Sequence, residues 1–316
     1  QVEFQQYKER SRINWVKKKA KPIVNVLPSK IKEVFDKITP KIERVKLHVN
    51  EKLNSEEIKN LDVEVLIGYL VEHPEKANLG YLIRDMIIEN PSKYIGLLLN
   101  YLEITFYYIK HIIEGFTRAT QKSEKFDIEE CTLIMIQISK GYLGEEKLLS
   151  NFSLLRILIS YFRECLALRT IKLKKTLLND IWVIILLFLT INEPRTRAQD
   201  PNYRDPVNIS INTYTGSVIL LIISYALHHA WISNLPPQHR MVPEVKEKFE
   251  EILDPKHNSA RIIWSIISYK LYSIFYLDEQ WAVSKLPIIF IKENQALWLI
   301  AWESYISYNQ LNSKIY

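Results

Sequence analysis

The side chains in this sequence that could do chemistry are few, and their spacing restricts them further. His228 and His229 are adjacent, with His239 further along, and form the one histidine cluster. A metal needs imidazoles converging on one point, but neighbouring helical residues point about 100° apart. The pair is therefore expected at the end of a helix, where the dipole favours a histidine, and no metal is expected. Arg195, Arg197 and Arg204 lie in the polar stretch 192–206, NEPRTRAQDPNYRDP. Three guanidinium forks in one surface loop are the candidate partner-binding residues, suited to an acidic group. Cys131 and Cys165 stand alone in apolar runs, where a free thiol behaves as a small buried hydrophobe. Neither a disulfide framework nor a zinc site is indicated. Trp264, Trp281, Trp298 and Trp302 fall in helical runs and are expected to pack in the core.

Catalytic signatures are missing. The sequence holds no GxxxxGK[ST], GxGxxG, GxSxG or HExxH, so no glycine loop to cradle phosphate and no serine or zinc hydrolase pattern is present. It also lacks the DD and HD dipeptides that helical metal enzymes use. The expectation is a non-enzymatic protein without a cofactor.

The elements that must position these residues are helices. The seven glycines, at 68, 80, 96, 115, 141, 144 and 216, each stand alone, and strand-rich or α/β folds need more for their turns. A hydrophobic content of 47% is ample for a core. The predicted fold is all-α, with antiparallel helical hairpins stacked as a HEAT/TPR-like solenoid. Residues 1–60 read as a charged helical connector from an upstream module, with helices near 29–38 and 41–53. Residues 61–191 form a first repeat lobe, with helices predicted at 62–73, 78–90, 91–102, 105–119, 127–140, 148–168 and 176–191. Asp62, Asp127 and Ser150 or Ser153 are their candidate caps. The loop 192–206 follows, then a second lobe over 207–316.

The centre of the second lobe is the stretch from Asp205 to Trp231, whose residues Ser217–Leu227 are apolar on every side. A helix hydrophobic all round is buried all round or lies in a membrane. This run ends at His228 after about eleven residues, short of the roughly 20 that span a bilayer. The stretch is therefore predicted to be a core helix. It starts either with Asp205 as cap and Pro206 at the first helical position, or at Thr213 or Thr215 with Gly216 in the first turn. Ile181–Ile191 is expected to be buried all round as well. Beyond them, helices are predicted at 243–253, 260–276, with Ser259 as cap, 278–291 and 294–310.

The net charge is +6. Residues 1–21 hold seven Lys and Arg against two Glu, which leaves the remainder close to neutral. That distribution suits a solvated terminal segment better than a nucleic-acid-binding face. The N-terminal stretch lacks the apolar core of a signal peptide, so the expected compartment is the cytoplasm, without membrane attachment. A chain that starts at Gln1 is expected to be a piece of a longer protein.

The C-terminal third resembles the helical repeat region of STAND-type antiviral NTPases, the AVAST-like anti-phage proteins. The resemblance runs through Asp205-Pro206, Asn212, Gly216 and Tyr225-Ala226-Leu227. It continues through PEVKEKFEEILD and SARIIWSIISYKLYSIFYLDEQWA, then IIF at 288–290 and ALWLIAWESYI with Trp302 and Tyr305. It departs at Thr215, where the family has Arg, and at Ile291, where it has Pro. The residues involved are fold determinants in the family, not catalytic groups. The resemblance implies a sensor scaffold that embraces a viral protein, with NTPase and effector modules upstream.

Overall fold

A computed structural model describes residues 53–122, 126–143, 151–193 and 205–309. The helices expected at 29–38 and 41–53, the basic segment 1–21 and most of the loop 192–206 lie outside them. Among the described residues there are fifteen α-helices, one short 3-10 turn at Pro237–His239 and no strand. The all-α reading therefore holds.

The helices run α1 Ser55–Lys59, α2 Val63–Glu72, α3 Ala77–Glu89, α4 Pro91–Leu99, α5 Phe106–Gln121, α6 Ile128–Leu143, α7 Phe152–Ala167 and α8 Lys175–Leu189. After the loop come α9 Pro206–Ile211, α10 Tyr214–Ser233, α11 Pro243–Ile252, α12 Ala260–Tyr269, α13 Leu271–Leu277, α14 Glu279–Ile289 and α15 Gln295–Tyr308. Short polar side chains start many of them by accepting from the free N–H groups of the first turn. Asn90 does so ahead of Pro91, and Asp127, Asn151, Asp278 and Asn294 serve α6, α7, α14 and α15. Three expected caps differ. Asp62 and Ser259 occupy the cap positions of α2 and α12, but their side chains make no capping bond. Asn151, not Ser153, caps α7, and Ser150 lies outside the described residues.

The predicted single helix over 260–276 is two. Lys270, at φ −99° and ψ 13°, leaves the helical region between α12 and α13. No Pro, Gly or Asp marks that break, so periodicity alone could not see it.

At the corner before the central helix both alternative starts are used, one for each of two helices. Asp205 caps α9, accepting from Asn208 N–H at 3.0 Å. The Thr213 hydroxyl then accepts from Gly216 N–H at 2.9 Å and starts α10.

The packing order is regular. In one row α3 lies on α5, α5 on α7, α7 on α10, α10 on α12 and α12 on α15. In a second row α2 lies on α4, α4 on α6 and α6 on α8, and α8 closes against α10. Chain neighbours such as α3 and α4, or α6 and α7, join the rows. The buried apolar side chains from Ile58 to Tyr305 make one core, which continues across the loop between α8 and α9. The lobes expected on either side of 192–206 thus share an interior.

The central helix α10 is 20 residues long, so the eleven-residue apolar run underestimated it. By length and composition it could cross a bilayer, yet 67% of its most apolar window is covered by neighbouring helices. Within Ser217–Leu227 every residue is buried except Ser224 and Leu227, which are half-buried, in keeping with a core helix. The matching expectation for 181–191 is corrected. Val183 on α8 is 45% exposed, and Trp182, Leu186, Leu187 and Leu189 are half-buried. The reason is position. Among the described residues α8 ends its row, and its main contacts are with α6 and α10.

Some of the residues named for the resemblance fall into two packed knots. Asp205, Asn212, Thr213 and Gly216 build the α9–α10 corner, where Asn212 Nδ2 donates to Asn208 O at 2.7 Å. Phe290 meets Trp302 and Tyr305 with ring centroids 4.5 and 6.0 Å apart. Both knots are structural.

Candidate binding groove

The groove is built on α7. Leu154, Leu155, Leu158, Ile159, Phe162 and Cys165 bury one side of this helix. Ser153, Arg156, Ser160 and Arg163 recur at steps of three, four and three, which places them on one face. That face lines a cavity of about 680 Å³. Its walls come from one row of neighbouring helices, with Lys110 and Glu114 from α5, Ser217 and Leu220 from α10, and Tyr269 with the adjoining Lys270 from the end of α12. Glu193 and Asn212 complete its rim beside the α9–α10 corner. A second cavity of about 580 Å³ between α5 and α7 shares Glu114, Ile157 and Ser160 and adds Arg118 and Lys122.

Six cations therefore face these cavities against two carboxylates. One of the two is already engaged. Glu193 accepts from Tyr214 N–H at 2.8 Å and Thr215 N–H at 3.0 Å, at the positive end of α10. Glu114 sits 3.5 Å from His111, whose pKa is pushed below the ordinary imidazole value of 6.5, chiefly by burial.

The arginines are the unusual feature. Arg156 Nε and Arg163 Nε are both buried and neither finds a hydrogen-bond acceptor. Arg156 donates through Nη2 to Asn212 Oδ1 at 3.4 Å, and no ion pair holds Arg163 among the described residues. Burial pushes the Arg163 pKa down, but a guanidinium stays charged at neutral pH. A half-buried cation without an anion is unfavourable. It suits a site whose anion arrives with a ligand.

The residues singled out in the sequence lie elsewhere. Arg195, Arg197 and Arg204 are outside the described residues. His228 and His229 diverge as their spacing requires. His228 Nδ1 donates to Leu166 O of α7 at 2.8 Å, whereas His229 feels Glu244 and Lys175. His239 is in the exposed 3-10 turn, and no three His, Cys, Asp or Glu side chains converge as metal ligands among the described residues. Trp264 and Trp281 are core residues, donating from Nε1 to Ile288 O at 3.2 Å and Glu250 Oε1 at 3.0 Å. Trp298 and Trp302 are half-buried against the same core. Arg156 and Arg163 went unnoticed in the sequence because a single basic residue in an apolar helix normally marks a solvated edge. Their step of seven, with a serine between, was the one available sign.

His228 makes a prediction for pH. Burial, the largest influence, lowers the pKa of His228 and of His229 from 6.5. The unfolded chain then binds more protons than the folded one below pH 6.5, so stability falls as the pH drops through that window and levels off below the folded values. In His228→Asn the amide Nδ2 can keep the bond to Leu166 O without titrating. Urea midpoints measured between pH 7 and 5 should decline less steeply for this variant than for the parent. Equal slopes would remove His228 from the explanation.

Comparison with family models, with curated proteins and with solved structures gives no match.

Proposed function

We propose that the chain is a non-enzymatic helical-repeat scaffold that recognises a protein partner along the face of α5, α7, α10 and α12. In this reading it is the sensor part of an antiviral STAND-type ATPase, its partner is a viral protein, and an NTPase module stands upstream in the same cytoplasmic protein. The stacking of helices two apart supports a HEAT- or TPR-like solenoid, in which each hairpin covers the next and one row lines a continuous binding face. The observation that carries the proposal is the cation-rich groove formed by four neighbouring helices of that row. A groove lined by four helices of one row can seat a polypeptide segment lying across them, and no cofactor is part of this reading.

The test is a pair of titrations of the chain, with candidate viral proteins and with DNA or RNA, at about 0.15 M salt, where exposed charges are screened beyond roughly 8 Å. A saturable protein complex is expected. Removing residues 1–27 should leave that complex intact and abolish most nucleic-acid binding, because Lys and Arg contacts to phosphate dominate non-specific affinity. Tight nucleic-acid binding that survives the removal would replace this reading with a nucleic-acid-binding solenoid. Failure of every protein to bind, with a cellular adaptor partner captured instead, would favour a generic scaffold. The purified chain is also expected to show no ATP turnover, since it has no phosphate loop. Hydrolysis that persists after contaminants are removed would contradict this.

A further inference from the structure

Resting on that reading, we propose that the groove takes an extended acidic segment of the partner, with one carboxylate on Arg156 and another on Arg163. The two arginines are seven residues apart on one face of α7, which places their Cα atoms about 10.5 Å apart along the helix axis. A peptide in the extended polyproline II conformation advances about 3.1 Å per residue with three residues per turn, so acidic residues three apart, with two others between, point to one side and come close to that distance. A guanidinium offers Nε and Nη as parallel donors to a planar carboxylate. Neither Arg156 nor Arg163 is in an ion pair among the described residues, so the charge of each is available to a carboxylate. Lys110 on α5 and Lys270 beside α12 flank the pair across the row and supply point charges to the rest of an acidic segment.

A nucleic-acid strand is the competing polyanion, and the walls disfavour it. Such a strand carries a charge on every nucleotide along its length. It would press phosphates against Glu114 and Glu193, which share the same cavity. A peptide with two spaced carboxylates can place neutral residues beside them.

The experiment uses the full 316-residue chain and three fluorescent probes at about 0.15 M salt. Two are nonapeptides of equal charge, one with glutamate at every third position separated by pairs of serine, the other with three glutamates together followed by serines. The third is a thymidine nonanucleotide. The spaced peptide is expected to bind at least tenfold more tightly than the clustered one. Arg156→Met and Arg163→Met should each remove that advantage, while the basic N-terminal segment contributes equally to all proteins compared. Arg163→Met should also melt at the parent temperature or above it, because it removes a half-buried cation that has no ion pair among the described residues. Arg163→Lys keeps the charge without the fork and should lose most of the preference, so the test stands even if a methionine variant fails to fold.

Equal affinities for the two peptides, or a preference retained by the folded arginine variants, would overturn the inference. So would a melting temperature that falls in both Arg163 variants, which would make the arginine structural. Tighter binding of the oligonucleotide with the same arginine dependence would reassign the groove to phosphates. If the peptide preference is absent but viral proteins still bind the chain, only the acidic-segment inference fails and the protein-recognition reading survives.

Discussion

Ile222→Asp is expected to leave the protein unfolded or barely folded at neutral pH. Ile222 has no solvent exposure and lies in the middle of the α10 run that is buried from Ser217 to Ile223. Aspartate there loses the apolar contacts of isoleucine, about 2–5 kcal/mol on the scale of large-to-small core changes. It must also become protonated or be buried as a charge. Raising a carboxyl from its usual pKa of about 3.9 to beyond 7 adds roughly 4 kcal/mol at neutral pH. Together these approach the whole stability of an ordinary domain, about 5–15 kcal/mol. The electrostatic part has a sign that can be checked. A carboxyl whose folded pKa is raised destabilises increasingly as the pH climbs above its unfolded value, so the penalty relative to the parent should shrink between pH 7 and pH 5. Ile222→Val, which keeps the site apolar, should lose only about 1 kcal/mol. Urea unfolding of the three proteins at both pH values decides the matter. An aspartate variant with the parent midpoint would show that α10 is not the centre of the fold.

Gly216→Ala is the second large effect, and here two physical terms compete. Alanine within a helix is usually favoured over glycine by about 1 kcal/mol. At this corner, however, a Cβ on residue 216 would stand 1.9 Å from the Ser210 carbonyl oxygen and 2.8 Å from its carbon. Both are backbone atoms, and that oxygen accepts the Thr213 hydroxyl at 2.7 Å, so no flexible side chain can yield. Opening the α9–α10 corner would disturb the Thr213 cap and the Glu193 bonds to Tyr214 and Thr215. Steric strain should win, with a net loss of about 3 kcal/mol, the upper end for overpacked sites. Gly68 makes the control, because nothing lies within 4 Å of a Cβ added there, and Gly68→Ala should be neutral or mildly stabilising. Thermal melts of the two variants should move in opposite directions. A stable Gly216→Ala would mean that the corner is not rigid.

Much of the fold was legible from local rules. The lone glycines and the 3.6-residue stripes specify helices, because an apolar face can be buried only by packing on another element. Pro91, Asp205-Pro206 and Pro243 open α4, α9 and α11 as their fixed φ requires, and Ser217–Ile223 is buried because no side of it is polar. What local rules cannot carry is position within the assembly. α8 is as apolar as α10, but it ends its row and leaves Val183 exposed. Lys270 breaks a helix that periodicity reads as continuous. Charge shows the same division most plainly. Counted along the chain, the residues after 21 are nearly neutral, and a linear sum has no information about which side chains meet. Packing α5, α7, α10 and α12 side by side gathers Lys110, Arg156, Arg163 and Lys270 around one cavity. Glu193, from a loop that reads only as polar, binds the N-terminus of α10. The helices follow from short-range periodicity and capping, whereas the groove is lined by residues as far apart in sequence as Lys110 and Lys270, which only the tertiary structure brings to one cavity.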